Sequence, residues 1–197
     1  MFQHLTIFFS FIFAIAFTHI LASASALVVA RRRVRFSGLL TVWMFIFANY
    51  LLMNWVGLFT LASLKRWSIG EVLIQVMSIV PQYFICSLIS MKVRESGEVD
   101  MNAYFEEQRP LIFSIYAVFG VTVMLGNYLD RNNVQGPGPN DWIGADLLNL
   151  PGLVVAAIAG WAKSRKLQWV AVGMTLVLTV WFYWSYTGVV IQSAPAG

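Results

Sequence analysis

Charged residues are scarce in this sequence. Lys, Arg, Asp and Glu make up 11% of its 197 residues, and 59% are hydrophobic. A typical soluble domain has about 25% charged residues. A chain of this length cannot bury so much apolar surface in one water-soluble core. The composition therefore indicates an integral membrane protein.

Cysteine and histidine are also rare. The single cysteine, Cys86, excludes an intrachain disulfide and a cysteine metal cluster. The two histidines, His4 and His19, lie on one predicted helix about 22 Å apart, which excludes a bis-histidine haem site within one chain. A His19 pair across a homodimer, or a histidine–methionine pair, is the haem alternative that stays open. No metal and no cofactor is otherwise indicated.

The sequence also lacks the common catalytic and nucleotide-binding motifs. Walker, dinucleotide, H-E-x-x-H and G-x-S-x-G patterns are all absent. The basic residues form short runs between apolar stretches, whereas a nucleic-acid binder presents a basic face on a folded domain. Nucleic acid is therefore not an expected partner.

What the sequence does contain is a series of apolar stretches long enough to cross a bilayer. The predicted spans are 5–30, 38–64, 68–91, 111–129, 142–162 and 168–191, with a short amphipathic helix at 101–108. The fifth is the weakest, because Asp146, Asn149 and Pro151 interrupt it, and its alternative is a re-entrant or broken helix. We expect an all-α integral membrane protein with one domain, a bundle of six transmembrane helices.

The distribution of basic residues predicts the orientation of this bundle. The first, third and fifth loops contain ten of the 13 Lys and Arg residues, and the second and fourth contain three. Cytoplasmic loops are the ones enriched in Lys and Arg. The odd-numbered loops, with the helix at 101–108, are therefore expected in the cytoplasm and both termini in the periplasm.

The third span has a polar stripe. Glu71, Gln75, Ser78 and Gln82 follow each other at intervals of four, three and four residues, so they share one helix face. Polar groups at membrane depth must face other helices, water or a ligand, because lipid cannot satisfy them. The pattern therefore places the third helix at the centre of the bundle.

One polar residue in each of the first three helices lies near the bilayer middle. Counted from the ends of their spans, His19, Asn49 and Gln82 are about 15–17 Å from the inner boundary. They form a candidate polar midplane site for a proton, an ion or a small polar ligand. A direct contact between His19 and Gln82 is predicted. The alternative is that all three are structural hydrogen-bonding groups between helices.

A second group of polar residues lies toward the outer side and forms a candidate outer vestibule. Two carboxylates in such a vestibule would bind a cation or act as an acid and a base. The alternative is a helix cap together with a hydrated carboxylate at the membrane interface. The group consists of Glu71, Gln75, Asn127, Asp146 and Asn149.

The segment from Asp100 to Pro110 places acidic, aromatic and basic residues before the fourth span. Together with the Thr18–His19 pair, the arginine-rich first loop and the aromatic second helix, it resembles a family of small bacterial integral membrane proteins with no assigned activity. The resemblance implies a bacterial inner-membrane origin and transfers no catalytic residue. The candidate docking residues for a cytoplasmic partner are Arg31, Arg32, Arg33, Arg35, Glu106, Glu107 and Arg109. The alternative is a solvated helix at the interface.

The expected function is that of a non-enzymatic inner-membrane protein, an accessory, scaffold or assembly subunit of a larger membrane complex. It would contact the lipid bilayer and either a membrane-protein partner or a second copy of itself. One alternative is a small transporter or channel for a proton, ion or small polar solute along the polar face of the third helix. The other is an intramembrane enzyme acting on lipid, with Glu71 and Asp146 as its acid and base.

Overall fold

The computed structural model describes residues 2–58, 69–93, 97–130 and 139–192. The chain forms long helices joined by short connections. The helices are α1 (Phe2–Val29), α2 (Gly38–Gly57), α3 (Ile69–Ile89), α4 (Met101–Asp130), α5 (Pro139–Trp161) and α6 (Arg165–Gln192). Two strands of two residues each, β1 (Val34–Arg35) and β2 (Val99–Asp100), pair in parallel beside the start of α4.

Four helices within the described residues are long and apolar enough to cross a membrane. Their apolar stretches are Gln3–Val29, Gly38–Gly57, Val72–Ile89 and Met101–Tyr128. The protein is therefore an all-helical membrane protein. The described apolar stretch of α5, Asn149–Trp161, is shorter than a bilayer requires. The count of six spans and the side of the membrane on which the termini lie stay predictions.

The structure corrects the prediction of two separate helices at 101–108 and 111–129. The amphipathic helix at 101–108 and the span at 111–129 form one continuous helix that contains Pro110. An interior proline costs a helix about 3 kcal/mol, because it removes one hydrogen bond and crowds the preceding turn. Met101 and Phe105 are almost fully buried in the first two turns. Packing of this segment against the bundle therefore outweighs the effect of the proline.

Asp100 caps the start of α4. Asp100 Oδ1 accepts hydrogen bonds from the backbone N–H groups of Asn102, at 2.8 Å, and Ala103, at 3.1 Å. These bonds satisfy donors that the first turn of a helix leaves unpaired. Tyr104 then donates a hydrogen bond of 2.6 Å to the Leu88 carbonyl, which connects α4 to the end of α3.

The bundle is organised around α4, which packs along α3 on one side and α5 on the other. Glycines permit this close approach. A Cβ at Gly120 would lie 3.1 Å from Leu153 of α5, and one at Gly126 would lie 3.1 Å from Ile74 of α3. Small residues are the usual means by which membrane helices approach each other. The predicted central helix α3 contacts α1, α2 and α4, and α4 shares the central position with it.

Aromatic side chains fill the space between α2 and α4. The rings of Trp43 and Phe113 are 4.7 Å apart, and those of Phe47 and Tyr116 are 5.7 Å apart, both in edge-to-face geometry. Trp43 and Phe113 are fully buried. Each such pair stabilises the core by about 0.5–1.5 kcal/mol beyond the area that it buries. These contacts fix the position of Tyr116, which also faces the cavity described below.

The contact between α4 and α5 can be tested at Gly160. An added Cβ there would lie 3.1 Å from Phe113 Cβ, an atom held rigidly by the backbone of α4. We expect Gly160→Ala to destabilise the protein by about 1–3 kcal/mol, because the two helices must move apart. The measurement is unfolding by SDS in mixed micelles. Gly173→Ala is the control, since nothing lies within 4 Å of its added Cβ, and an equal loss in both variants would contradict the packing described here.

Candidate functional site

A cavity of about 480 Å³ lies between α2, α4, α5 and α6. We call it the four-helix cavity. Most of its wall is apolar or aromatic, and none of the described side chains that line it carries a charge. The lining residues are Tyr50, Met53, Asn54, Gly57, Tyr116, Phe119, Gly120, Val123, Asn127, Asn149, Gly152, Leu153, Leu178, Thr179 and Trp181.

The helix periodicity of the sequence explains why these residues converge. Tyr50, Asn54 and Gly57 are spaced by four and three residues, so they lie on one face of α2. Gly152 of α5 leaves space beside α4, since a Cβ there would be 3.6 Å from the Tyr116 hydroxyl. The other ends of α2 and α6 approach closely, with the Trp169 ring 3.8 Å from an added Cβ at Gly38.

The polar groups of the cavity lie toward its two ends. Tyr116 marks one end on α4 and Asn127 the other, eleven residues away. This separation corresponds to about 16 Å along the helix. Between them the wall of α4 is formed by Phe119, Gly120 and Val123. The α4 side of the cavity is therefore polar at both ends and apolar in between.

Two tyrosines form the wall at the inner end of the cavity. The Tyr116 hydroxyl donates to the Tyr50 hydroxyl over 3.4 Å, a long hydrogen bond, and the two rings meet edge to face. Tyr50, Tyr116 and Phe119 also border a second space of about 10 Å³, which we call the inner void. Gln82 and Cys86 of α3 line its far side.

The structure separates the three residues of the predicted midplane site. Gln82 is buried between α2 and α4, and its Nε2 donates to the Ser78 carbonyl at 3.1 Å. His19 Nε2 lies 3.5 Å from the hydroxyl of Tyr83, not near Gln82. Asn49 donates to the Phe45 carbonyl of its own helix at 2.9 Å. The predicted contact between the first and third helices is present, but His19 meets Tyr83 and not Gln82.

The rotation of α3 explains this difference. Successive residues of a helix point about 100° apart. When Gln82 faces α2 and α4, its neighbour Tyr83 faces α1 and meets His19. The polar stripe itself is not turned outward, because Gln82 is only 7% exposed and Gln75 and Ser78 are half-buried.

The structure brings together two of the five predicted vestibule residues. Asn127 of α4 and Asn149 of α5 both line the four-helix cavity. Gln75 is on α3, on the other side of α4 from α5. The side chains of Glu71 and Asp146 lie outside the described residues. An acid–base or cation-binding role for these two carboxylates stays a prediction.

The residues by which α2 and α6 line the cavity were not predicted from the sequence. Tyr50, Asn54 and Thr179 line it and were not predicted as site residues. For α2 the sequence does indicate such residues, because Tyr50, Asn54 and Gly57 form a face of polar and small residues in an otherwise aromatic span. Thr179 gives no such signal, because it lies in an apolar stretch and donates to the Thr175 carbonyl of its own helix.

Two of the predicted docking residues form an internal clamp instead. Arg109 is 8% exposed, and its Nη1 donates to the carbonyls of Ala162, at 2.7 Å, and Ala159, at 3.4 Å. Its Nε lies 2.8 Å from Glu106 Oε2, as an ion pair rather than an aligned hydrogen bond. Gln168 of α6 donates to Glu106 at 3.3 Å and to the Ala162 carbonyl at 3.1 Å. This Arg109 clamp joins α4 to the end of α5 and the start of α6.

A third docking residue, Arg35, also pairs within the chain. Its Nη1 lies 3.1 Å from Asp100 Oδ2, beside the pairing of β1 and β2. The backbone N–H of Ala103, with smaller contributions from Asn102 and Arg35, holds the pKa of Asp100 below its usual value. The remaining docking candidates, Arg31, Arg32, Arg33 and Glu107, are exposed.

Within the described residues, no three His, Cys, Asp or Glu side chains come together to hold a metal ion. Comparison of the chain with protein-family models, with curated proteins and with solved structures gives no match. The resemblance of the segment 100–110 to a bacterial family therefore stays a prediction. The function must be inferred from the cavity itself.

The hydrogen bonds and the ion pair of the Asp100 carboxylate predict that the stability of the protein depends on pH. Because the folded state lowers this pKa, the carboxylate stabilises the fold at neutral pH, and this contribution disappears as the pH falls below about 4 toward the folded-state pKa. Asp100→Asn keeps a capping side chain but cannot titrate. We expect the wild type to lose more stability than Asp100→Asn between pH 5 and pH 3, measured as thermal unfolding in detergent, and parallel curves would contradict this role.

The Arg109 clamp predicts a loss of stability when the Arg109 side chain is removed. We expect Arg109→Ala to destabilise the protein by about 1.5–3 kcal/mol, because hydrogen bonds of a buried charged group to the α5 carbonyls are lost. Arg31→Ala, at an exposed position of the first loop, is the matched control. SDS unfolding measures both, and equal stability of the two variants would contradict the clamp.

Proposed function

We propose that this chain is a non-enzymatic, multi-pass protein of the bacterial inner membrane that binds a neutral amphiphilic molecule in the four-helix cavity. In this proposal it acts as an accessory subunit of a larger membrane complex, with both termini in the periplasm. The observation that carries the binding role is the uncharged cavity, whose mostly apolar wall includes a few polar side chains. The accessory role is supported by the absence of catalytic motifs in the sequence, and the family resemblance supports the bacterial inner membrane.

The size and chemistry of the cavity suit a small amphiphile. Its volume of about 480 Å³ falls in the range of about 300–1,000 Å³ that is typical of small-molecule sites. A charged ligand would lose its hydration without a described counter-charge in the wall, which is unfavourable. An uncharged molecule with an apolar body would contact Phe119, Val123 and Leu153 and would place its polar groups at the ends.

Hydrogen bonds, rather than apolar burial, would select this ligand. A molecule that enters from the bilayer gains little from an apolar wall, because lipid tails are equally apolar. Polar groups such as Tyr50, Asn54 and Asn127 then distinguish one amphiphile from another. In the proposed orientation they lie in the periplasmic half of the membrane.

The buried face of α3 favours binding over transport along that helix. Beyond Gln82 the next buried side chains are Ile85, Cys86 and Ile89, all at most 2% exposed. A path for ions or polar solutes would need polar groups or water at this depth. The lipid-enzyme alternative depends on Glu71 and Asp146, and the described lining of the cavity contributes no carboxylate to it.

The proposal is tested by filling the cavity. The Cβ of Gly152→Leu meets only the Tyr116 hydroxyl, at 3.6 Å, and the rest of the leucine side chain occupies the cavity. We expect the wild type, purified in mild detergent and examined by native mass spectrometry, to carry a small molecule of constant mass. Gly152→Leu should retain at least tenfold less of it.

Gly173→Leu is the matched control, because nothing lies within 4 Å of an added Cβ at this exposed position of α6. It should retain the molecule as the wild type does. Equal retention by Gly152→Leu, or a wild type that carries and takes up no amphiphile, would refute the binding role. Purification as a monomer without any stoichiometric partner would refute the accessory role and leave the binding role intact.

A further inference from the structure

The inner void is separated from the four-helix cavity by a thin wall. Tyr50, Tyr116 and Phe119 line both spaces, so their side chains are the partition. The far side of the inner void is formed by α3, through Gln82, Ile85 and Cys86. A group placed in the inner void would therefore contact the polar stripe of α3 directly behind the cavity.

Gln82 presents an unpaired acceptor in this buried region. The Ser78 carbonyl can only accept a hydrogen bond, so the amide nitrogen of Gln82 must face it, and this fixes the orientation of the amide. Gln82 is 93% buried, and within the described part of the chain nothing donates to its Oε1. A buried acceptor without a donor is unfavourable, and native proteins rarely contain one.

The size of the inner void restricts what can supply the missing donor. Its volume of about 10 Å³ is close to the minimum that admits one water molecule. A hydroxyl group has the same size. The neighbouring Tyr116 hydroxyl donates to Tyr50, and neither the Tyr50 hydroxyl nor the Cys86 thiol, the other two donors in the lining, donates to Oε1. The side chains of Phe47, Leu51, Ile85 and Phe119 have no donor.

We propose that an O–H group occupies the inner void and donates a hydrogen bond to Gln82 Oε1. This inference rests on the proposed binding role of the four-helix cavity and names the class of its ligand, a neutral long-chain or isoprenoid alcohol. The hydroxyl end passes between Tyr50 and Tyr116, whose 3.4 Å contact is weak enough to part. A water molecule supplies the same O–H group when no alcohol is bound.

The first experiment compares two probes that differ only in their donor. Dodecan-1-ol and dodecyl methyl ether are titrated into the purified protein, and the affinities are read from thermal shifts in one detergent. We expect the alcohol to bind at least tenfold more tightly to the wild type. In Gln82→Met, which keeps the volume and removes the acceptor, the preference should fall below about twofold.

Gln75→Met is the matched control, because it makes the same change seven residues earlier on α3 and lies outside the lining of both spaces. It should keep the full preference for the alcohol. A preference that survives in Gln82→Met would overturn the proposal, since the donor would then be acting elsewhere.

A second measurement separates the two sources of the O–H group. If the wild type binds both probes equally, the stability of ligand-free Gln82→Met shows whether water donates to Gln82 Oε1. Gln82→Leu replaces this variant if Gln82→Met does not fold. A melting temperature equal to or below that of the wild type supports water as the donor. A higher one overturns the proposal, because it shows that Oε1 was unpaired in an empty void. If neither probe binds, the binding role of the four-helix cavity fails. The stability comparison then still shows whether water in the inner void donates to Gln82 Oε1.

Discussion

A membrane interior offers no water to polar groups, and this constraint determines which side chains are available for function. Most polar residues of the bundle satisfy it within their own helix. Thr122, Ser114 and Thr175 each donate to the carbonyl four residues earlier, at 2.7–2.8 Å. Asn49 does the same. Within the described residues, four buried side-chain atoms have no hydrogen-bond partner, and Gln82 Oε1 is one of them.

The positions of the helices could be predicted from apolar length, and four of the predicted spans correspond to helices that can cross a membrane. Which residues meet depends on the rotation of each helix, and one sequence carries little information about that. Gln82 and Tyr83 differ by one position, yet one faces α4 and the other His19. Asn127 and Asn149 line one cavity, because both lie near the same end of adjacent spans. The continuity of α4 through Pro110 could not be predicted from the sequence, because it depends on tertiary packing.

The charged residues near the start of α4 show that a sequence does not reveal in which direction a charged side chain faces. A sequence shows that Glu106 and Arg109 can pair, but not whether they face outward. In the structure Arg109 faces the last carbonyls of α5, where the partial negative charge of a helix terminus favours a cation. Gln168 of α6 donates to the same Ala162 carbonyl. Arg109 is therefore turned into the bundle, whereas the other predicted docking residues are exposed, namely Arg31, Arg32, Arg33, Arg35, Glu106 and Glu107.

The Trp169 ring of α6 lies beside Gly38 at the start of α2. From Gly38 to Gly57 the helix extends about 28 Å, so a tilt of about 5° around Gly38 displaces the far end of α2 by roughly 2.5 Å. A small tilt at this contact therefore produces a larger displacement at the opposite ends of α2 and α6.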